Sequence, residues 1–148
     1  MKYGPWLSAP RDPQNFQGKR ILVQEITGGK EMRLVAAYHE GELYHSRDVI
    51  PIKLEKTKLD PLYLLAVINS WLLTWYHQKC NPKSQKGLFP KVLVSDLKKL
   101  PIFPASESQQ GAIAKPAKKV IEAKQHNPAA DTSGLECEID QQVYALYG

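Results

Sequence analysis

An apolar run from Asp60 to His77, DPLYLLAVINSWLLTWYH, constrains the fold of this chain more than any other stretch. Asp60 is a favourable N-cap, Pro61 is a favourable first helical residue, and apolar side chains recur at helical spacing on both faces. A helix that is apolar all round is either buried or in a membrane, and this run is shorter than the ~20 residues that a bilayer requires. The run therefore predicts a long buried central helix, in which Asn69 is a buried hydrogen-bonding residue that fixes a neighbouring loop.

Short segments before this helix predict an antiparallel β-meander. They are rich in β-branched residues, and Gly28-Gly29 and Glu40-Gly41 supply turns between them. The four predicted strands cover residues 19–27, 31–39, 42–46 and 49–54. Pro51 suits an edge strand, because proline cannot donate a hydrogen bond to a neighbouring strand.

Two further helices are predicted after Pro104. Ser106-x-x-Gln109 is a capping box, and an apolar stripe follows it; Pro116 would bend this helix or delay its start. Ser133-x-x-Glu136 is predicted to cap the last helix in the same way. The expected fold class is α+β, with the antiparallel meander packed against the long buried central helix and the C-terminal helices.

Positive charge is concentrated immediately after the predicted central helix. The net charge is +5, and residues 61–104 hold six Lys against a single acid, Asp96. The segment Lys79–Lys91 contains four of these Lys and no Asp or Glu. Such clustering is typical of surfaces that contact phosphates, and we expect the function to lie in this segment. A solvated lysine surface is the alternative interpretation.

The cysteines and the first residues of the sequence indicate in which cellular compartment the protein is expected. Cys80 and Cys137 are the only cysteines and form no paired motif, which favours a reducing environment. The start, MKYGPWLSAPRDP, lacks the apolar run of a signal peptide, and no apolar stretch exceeds the predicted central helix. The sequence therefore predicts a cytoplasmic protein without a membrane anchor.

Several ordered motifs resemble one known family. They are the strand KRILVQ at residues 19–24, the helix segment LLAVINS at 64–70, FPK at 89–91 after Gly87, and LKKLPIFP at 97–104, where Phe103 is inserted into the family pattern. Together they resemble the TaqI-like C-terminal specificity domain. That domain is the DNA target-recognition part of restriction-modification enzymes and adenine-N6 DNA methyltransferases, and it is similar to the recognition domains of type I specificity subunits.

The resemblance implies a division of the chain and a function. Residues 1–17 would lead in from a preceding catalytic domain, residues 18–104 would form the target-recognition core, and residues 105–148 a C-terminal helical segment packed on it. The chain would recognise duplex DNA and position it for adenine-N6 methylation and, where a nuclease is associated, for cleavage. S-adenosylmethionine would belong to the methyltransferase domain, in the same polypeptide or complex, and no cofactor is expected in this chain.

Candidate DNA-binding residues fall in three places. Lysine and arginine can neutralise phosphates or read guanine, and glutamine suits adenine. The candidates are Lys30 and Arg33 near the first turn, His45 and Arg47 on the third predicted strand, and Lys83, Ser84, Gln85, Lys86 and Lys91 in the basic segment. In the alternative interpretation, Arg33 and Arg47 are salt-bridge partners on the sheet and Lys30 is a solvated turn lysine.

Nothing in the sequence is typical of catalysis. Asn81-Pro82 lacks the second proline of an adenine-methyltransferase motif, and the acidic residues are scattered. His77-x-x-Cys80 with His39 and His45 could form a zinc site, but satisfied or solvated histidines are the favoured interpretation. We therefore expect no catalytic residue and no metal. A protein-interaction module that docks a partner subunit through the apolar helix is the rival function, and a small enzyme is disfavoured.

Overall fold

The structure is a computed structural model that describes residue 4 and residues 11–27, 32–80 and 91–148. It confirms the α+β class. The described residues form a 3₁₀ turn at Pro13–Phe16, three strands, β1 (Arg20–Gln24), β2 (Ala36–His39) and β3 (Val49–Lys53), and five helices, α1 (Pro61–Asn69), α2 (Trp71–Cys80), α3 (Val94–Leu97), α4 (Glu107–His126) and α5 (Ser133–Tyr147). No helix in this described part is both long enough and apolar enough to cross a membrane.

The strand order of the sheet differs from that of a meander. β1 is the central strand and pairs antiparallel with β2 on one side and β3 on the other. The third strand predicted over residues 42–46 is not formed. Instead, the Arg20 guanidinium donates to the carbonyl of Gly41 at 2.9 Å, and the N–H of Leu43 donates to the carbonyl of Phe16 at 2.9 Å. These bonds tie the segment to the residues before β1, so the next strand pairs with the far side of β1. Pro51 lies in β3, an outer strand, as predicted.

The predicted long central helix is wrong in one respect, because it is two helices that meet at Ser70. Ser70 has extended backbone angles, φ −66° and ψ 154°. Its hydroxyl donates to the carbonyl of Val67 at 2.7 Å and accepts from the N–H of Leu73 at 3.3 Å, so it closes α1 and caps α2. The Asp140 carboxylate of α5 accepts from the N–H of Trp71 at 2.9 Å and satisfies a second free donor of α2.

Burial is also unequal between these two helices. α1 buries six consecutive residues, Tyr63 to Ile68. Its one side packs on Ile21 and Val23 of the sheet, and its other side packs on α4, which in turn packs on α5. α2 buries only Leu73, Thr74 and His77, and Trp75 is 55% exposed. The buried central helix is therefore α1 alone, which lies between the sheet and the C-terminal helices.

The two C-terminal helices agree with the prediction in part. The capping box of Ser106 and Gln109 is confirmed, and α4 continues through the buried Pro116 without a delayed start. The predicted Ser133 cap is wrong, because Ser133 is already helical and Thr132 is the N-cap. The Thr132 hydroxyl donates to the Glu136 carboxylate at 2.6 Å instead of accepting from the backbone.

Candidate nucleic-acid interface

The end of the sheet where β1 stops and β3 begins joins three separate segments of the chain. The N–H of Glu25 donates to the carbonyl of Asp48 at 2.8 Å, and the carbonyl of Glu25 accepts from the N–H of Val92 at 2.7 Å. Both backbone groups of a residue in an antiparallel strand point to the same side. Asp48 and Val92 therefore lie on one edge of the extended β1 segment, and their chain neighbours Arg47 and Lys91 are brought to this end of the sheet.

A cleft of about 230 Å³ opens at this end of the sheet. It contains two guanidinium-bearing residues, Arg11 from the lead-in and Arg47 from the start of β3, and at its rim Leu93 and Val94 are 52% and 53% exposed. The described residues that line it are Arg11, Glu25, Arg47, Val49, Ile50, Pro51, Val92, Leu93 and Val94. Exposed cations beside exposed apolar side chains can contact a phosphate and the sugar next to it. We call this set of residues, together with Lys91, the sheet-end cleft.

One ion pair lies beside the two arginines. The Lys91 ammonium is 3.1 Å from the Glu25 carboxylate, and the two side chains are 50% and 21% exposed. Lys91 also forms an isolated antiparallel bridge with Ile26. The carboxylate of Asp48 is engaged locally with the Ser46 hydroxyl at 3.4 Å. In the part of the chain that the structure describes, the sheet-end cleft thus carries three cations and one lining acid.

Most of the other predicted residues fall outside the described residues. These are Lys30, Lys83, Ser84, Gln85 and Lys86. The predicted Gly28-Gly29 turn and Glu31, the first residue of the second predicted strand, also lie outside the described residues. The described residues that flank the two segments are bonded to each other. Ile26 is bridged to Lys91, and the Gln78 side-chain amide donates to the carbonyl of Met32 at 3.4 Å. The points where both segments leave the described fold are therefore neighbours.

Arg33 precedes β2 and makes contacts with the helices. Its guanidinium donates to the carbonyl of Asn69 at 3.0 Å, lies 4.4 Å from the centre of the Trp71 ring and is 3.9 Å from the Glu136 carboxylate. These contacts agree with the alternative interpretation of Arg33 as a salt-bridge partner. A role of Arg33 in DNA binding stays a prediction.

His45 does not line the sheet-end cleft. Its ring packs edge-on against Phe16 with 5.1 Å between ring centres, and its Nδ1 is 2.9 Å from the carbonyl of Ser46. The ring therefore holds the segment before β3 onto the 3₁₀ turn. A contact between His45 and DNA also stays a prediction.

A buried pair of ionisable side chains lies next to the rim of the cleft. His77 of α2 and Asp96 of α3 are 2% and 7% exposed, with 3.6 Å between Nε2 and the carboxylate oxygen. Burial lowers the pKa of His77, and the nearby Asp96 carboxylate acts in the opposite direction. The Asp96 carboxylate also accepts from the N–H of Leu93 at 3.2 Å, which fixes the rim of the cleft. Within the described ranges, no three His, Cys, Asp or Glu side chains group as metal ligands would.

Sequence reasoning missed Arg11 and Glu25 as cleft residues. Arg11 lies in a proline-containing lead-in without periodicity, and Glu25 belongs to a strand that reads as an ordinary alternating one. The position of Glu25 beside Asp48 and Val92 depends on backbone pairing between distant segments, and no local pattern encodes it. Arg47 and Lys91 were predicted, and the structure places both at this end of the sheet.

A model of a known protein family matches most of this chain. The family model described as TaqI-like C-terminal specificity domain matches residues 2–102. This range contains the whole sheet, α1, α2, α3 and the sheet-end cleft, and α4 and α5 follow it. No curated protein matches the chain.

Proposed function

This chain belongs to the family of TaqI-like C-terminal specificity domains, and we propose that it binds duplex DNA through the sheet-end cleft. As a specificity domain it has a recognition role and not a catalytic one, within restriction-modification enzymes. In our proposal it positions the duplex for adenine-N6 methylation by a catalytic domain. S-adenosylmethionine would be bound by that domain, and any cleavage would be carried out by an associated nuclease.

The observation that carries this proposal is the convergence of cations at one end of the sheet. Arg11, Arg47 and Lys91 come from three distant parts of the sequence and meet around one cleft. Backbone bonds from Glu25 hold two of these parts together. Phosphate contacts need cations at fixed positions, because such contacts set the register and orientation of a protein on the duplex.

We further propose that bases are read by side chains of residues 28–31 and 81–90, which lie outside the described part of the chain. Lys30 belongs to one of them, and Lys83, Ser84, Gln85 and Lys86 belong to the other. Their flanking residues are joined by the Ile26–Lys91 bridge and the Gln78–Met32 bond. We propose that the cleft holds the phosphates while these side chains reach base edges in the major groove, where a lysine suits guanine and a glutamine suits adenine.

Salt dependence tests the proposal directly. Affinity of this chain for a fluorescently labelled mixed-sequence duplex is measured by anisotropy over a series of salt concentrations. The logarithm of the binding constant is expected to fall linearly with the logarithm of the salt concentration, by about 0.9 per phosphate contact on duplex DNA. Absence of duplex binding, or binding that does not change with salt, would contradict the proposal.

A second function is favoured by one surface observation. Trp75 of α2 and Tyr144 of α5 are 55% and 49% exposed, and α2 packs against α5. Exposed aromatic residues are typical of protein interfaces, so docking of a partner subunit is the rival proposal. Charge reversal of Lys83, Lys86 and Lys91 separates the two: DNA recognition predicts lost duplex affinity with an intact fold, and docking predicts little change.

A further inference from the structure

Among the residues that the structure describes, Glu25 is the acid that lines the sheet-end cleft. We propose that Glu25 limits the sequence-independent affinity of this chain for DNA, by competing with phosphate for Lys91. This inference rests on the proposed function, because it concerns the same cleft. It assigns Glu25 as a specificity-determining residue: when phosphate contacts are weak, base contacts decide which duplex is retained.

The positions of the two side chains determine which partner can move. The backbone of Glu25 is bonded to Asp48 and to Val92, and its side chain is only 21% exposed, so its carboxylate has less freedom to leave the cleft than the Lys91 ammonium has. Lys91 has a long flexible stem, and its side chain is half exposed, at 50%. When a duplex approaches, the Lys91 ammonium can turn to a phosphate, and the carboxylate remains behind.

Binding therefore carries two unfavourable consequences. The 3.1 Å pair between Lys91 and Glu25 is lost, and the Glu25 carboxylate is left to repel the phosphates and to compete with them for Arg11 and Arg47. An exposed ion pair amounts to a factor of about two to five in an equilibrium constant. Sequence-independent binding consists essentially of phosphate contacts, so a factor of this size acts on it in full.

A purely structural role for Glu25 makes the opposite prediction. In that case the carboxylate holds Lys91 in the orientation that a phosphate needs, and removing the negative charge weakens DNA binding or leaves it unchanged. The two roles are thus distinguished by the direction of the effect.

The test is the E25Q variant, which keeps the size and hydrogen-bonding capacity of the side chain. The matched control is E122Q, because Glu122 pairs with Lys118 on the exposed side of α4 at 3.8 Å and its neutralisation changes the net charge equally. Affinity for the mixed-sequence duplex is measured at several salt concentrations, and thermal unfolding checks that each variant is folded. If E25Q is poorly folded, the smaller E25S replaces it with the same expectation.

E25Q is expected to bind the duplex about two- to fivefold more tightly than the unsubstituted chain, and E122Q less than twofold more tightly. The salt dependence of E25Q is expected to be steeper by up to about one contact. In the K91Q background, the gain from E25Q is expected to be smaller, because the competition no longer exists. If E25Q binds no more tightly than E122Q, the assignment of Glu25 is overturned. If the unsubstituted chain and E122Q show no salt-dependent binding either, the proposed function itself is overturned.

Discussion

The side chain of Asn69 forms two hydrogen bonds with the backbone of Ala36: its oxygen accepts from the N–H at 2.8 Å, and its NH₂ donates to the carbonyl at 2.9 Å. Asn69 is the last residue of α1, and Ala36 is the first residue of β2, an outer strand of the sheet. One amide thus satisfies both backbone groups that Ala36 directs away from β1. The pair joins the buried helix to the sheet and closes part of an otherwise open strand edge.

Replacement of Asn69 by alanine is predicted to destabilise the fold. Two partly buried backbone groups would lose their partner, and the free energy of unfolding is expected to fall by about 1–3 kcal/mol. N69D keeps the acceptor but places a carboxylate oxygen against the Ala36 carbonyl, so it is expected to destabilise as well. Chemical denaturation measures both. The matched control is N15A at the exposed Asn15, expected within about 0.5 kcal/mol of the unsubstituted chain; equal effects of N69A and N15A would contradict the prediction.

Ser70 separates α1 from α2, and its replacement by alanine is predicted to destabilise the fold. Ser70 is 2% exposed and its hydroxyl bonds both helices, so S70A removes the N-cap of α2 and takes the Ser70 hydroxyl away from the N–H of Leu73, while the Val67 carbonyl keeps its bond from the Ser70 N–H. The free energy of unfolding is expected to fall by about 1–2 kcal/mol. Denaturant unfolding measures the change. S108A, at an exposed position near the start of α4, is the control, and its stability is expected to be unchanged or slightly raised because alanine favours helix.

Features that depend on local chemistry could be predicted from the sequence. Asp60 starts α1, Ser106 and Gln109 cap α4, and Asn69 was expected to hydrogen-bond because it is a polar residue within an apolar run. The structure confirms the two caps and the hydrogen bonding of Asn69. Asn69 is, however, half-buried where a buried residue was predicted, and its partner is β2 in place of a loop. Each of these signals is contained within a few residues of the chain.

Features that depend on distant segments could not be predicted. The break at Ser70 is supported by Asp140, which follows it by 70 positions. The strand order depends on Arg20 binding the carbonyl of Gly41, and the composition of the sheet-end cleft depends on Glu25 pairing with Val92. In each case the partner of a polar group lies far away in the sequence. The local sequence alone therefore does not determine which partner the group takes.

The buried pair of His77 and Asp96 predicts a pH dependence of stability. Burial lowers the pKa of His77 in the folded chain, while the unfolded chain has the usual pKa of about 6.5. Below that value the unfolded state binds more protons than the folded state, so the stability that is present at higher pH is lost as the pH falls. The free energy of unfolding is therefore expected to decrease as the pH is lowered through about 6.5 and below.

The contribution of His77 is isolated by comparing variants. H77Q is expected to show a flatter dependence of the free energy of unfolding on pH, because the titrating group is absent. H126Q, at an exposed position at the end of α4, controls for the loss of a histidine and is expected to keep the slope of the unsubstituted chain. If the free energy of unfolding of H77Q depends on pH as steeply as that of the unsubstituted chain, the prediction for His77 is wrong.

Arg11 and Arg47 are predicted to contact DNA phosphates from the two sides of the sheet-end cleft, where both are exposed. R11Q and R47Q are each expected to weaken binding to a mixed-sequence duplex and to reduce the salt dependence by about 0.9, the value for one phosphate contact. K119Q, at an exposed position on α4, removes the same charge elsewhere and is expected to leave the salt dependence nearly unchanged. The slope of the logarithm of the binding constant against the logarithm of the salt concentration distinguishes the two explanations. A general effect of net charge would reduce this slope equally in R11Q, R47Q and K119Q. If Arg47 reads a base instead of contacting a phosphate, R47Q would lose affinity for one sequence more than for others. The measurement is therefore repeated on duplexes of different sequence.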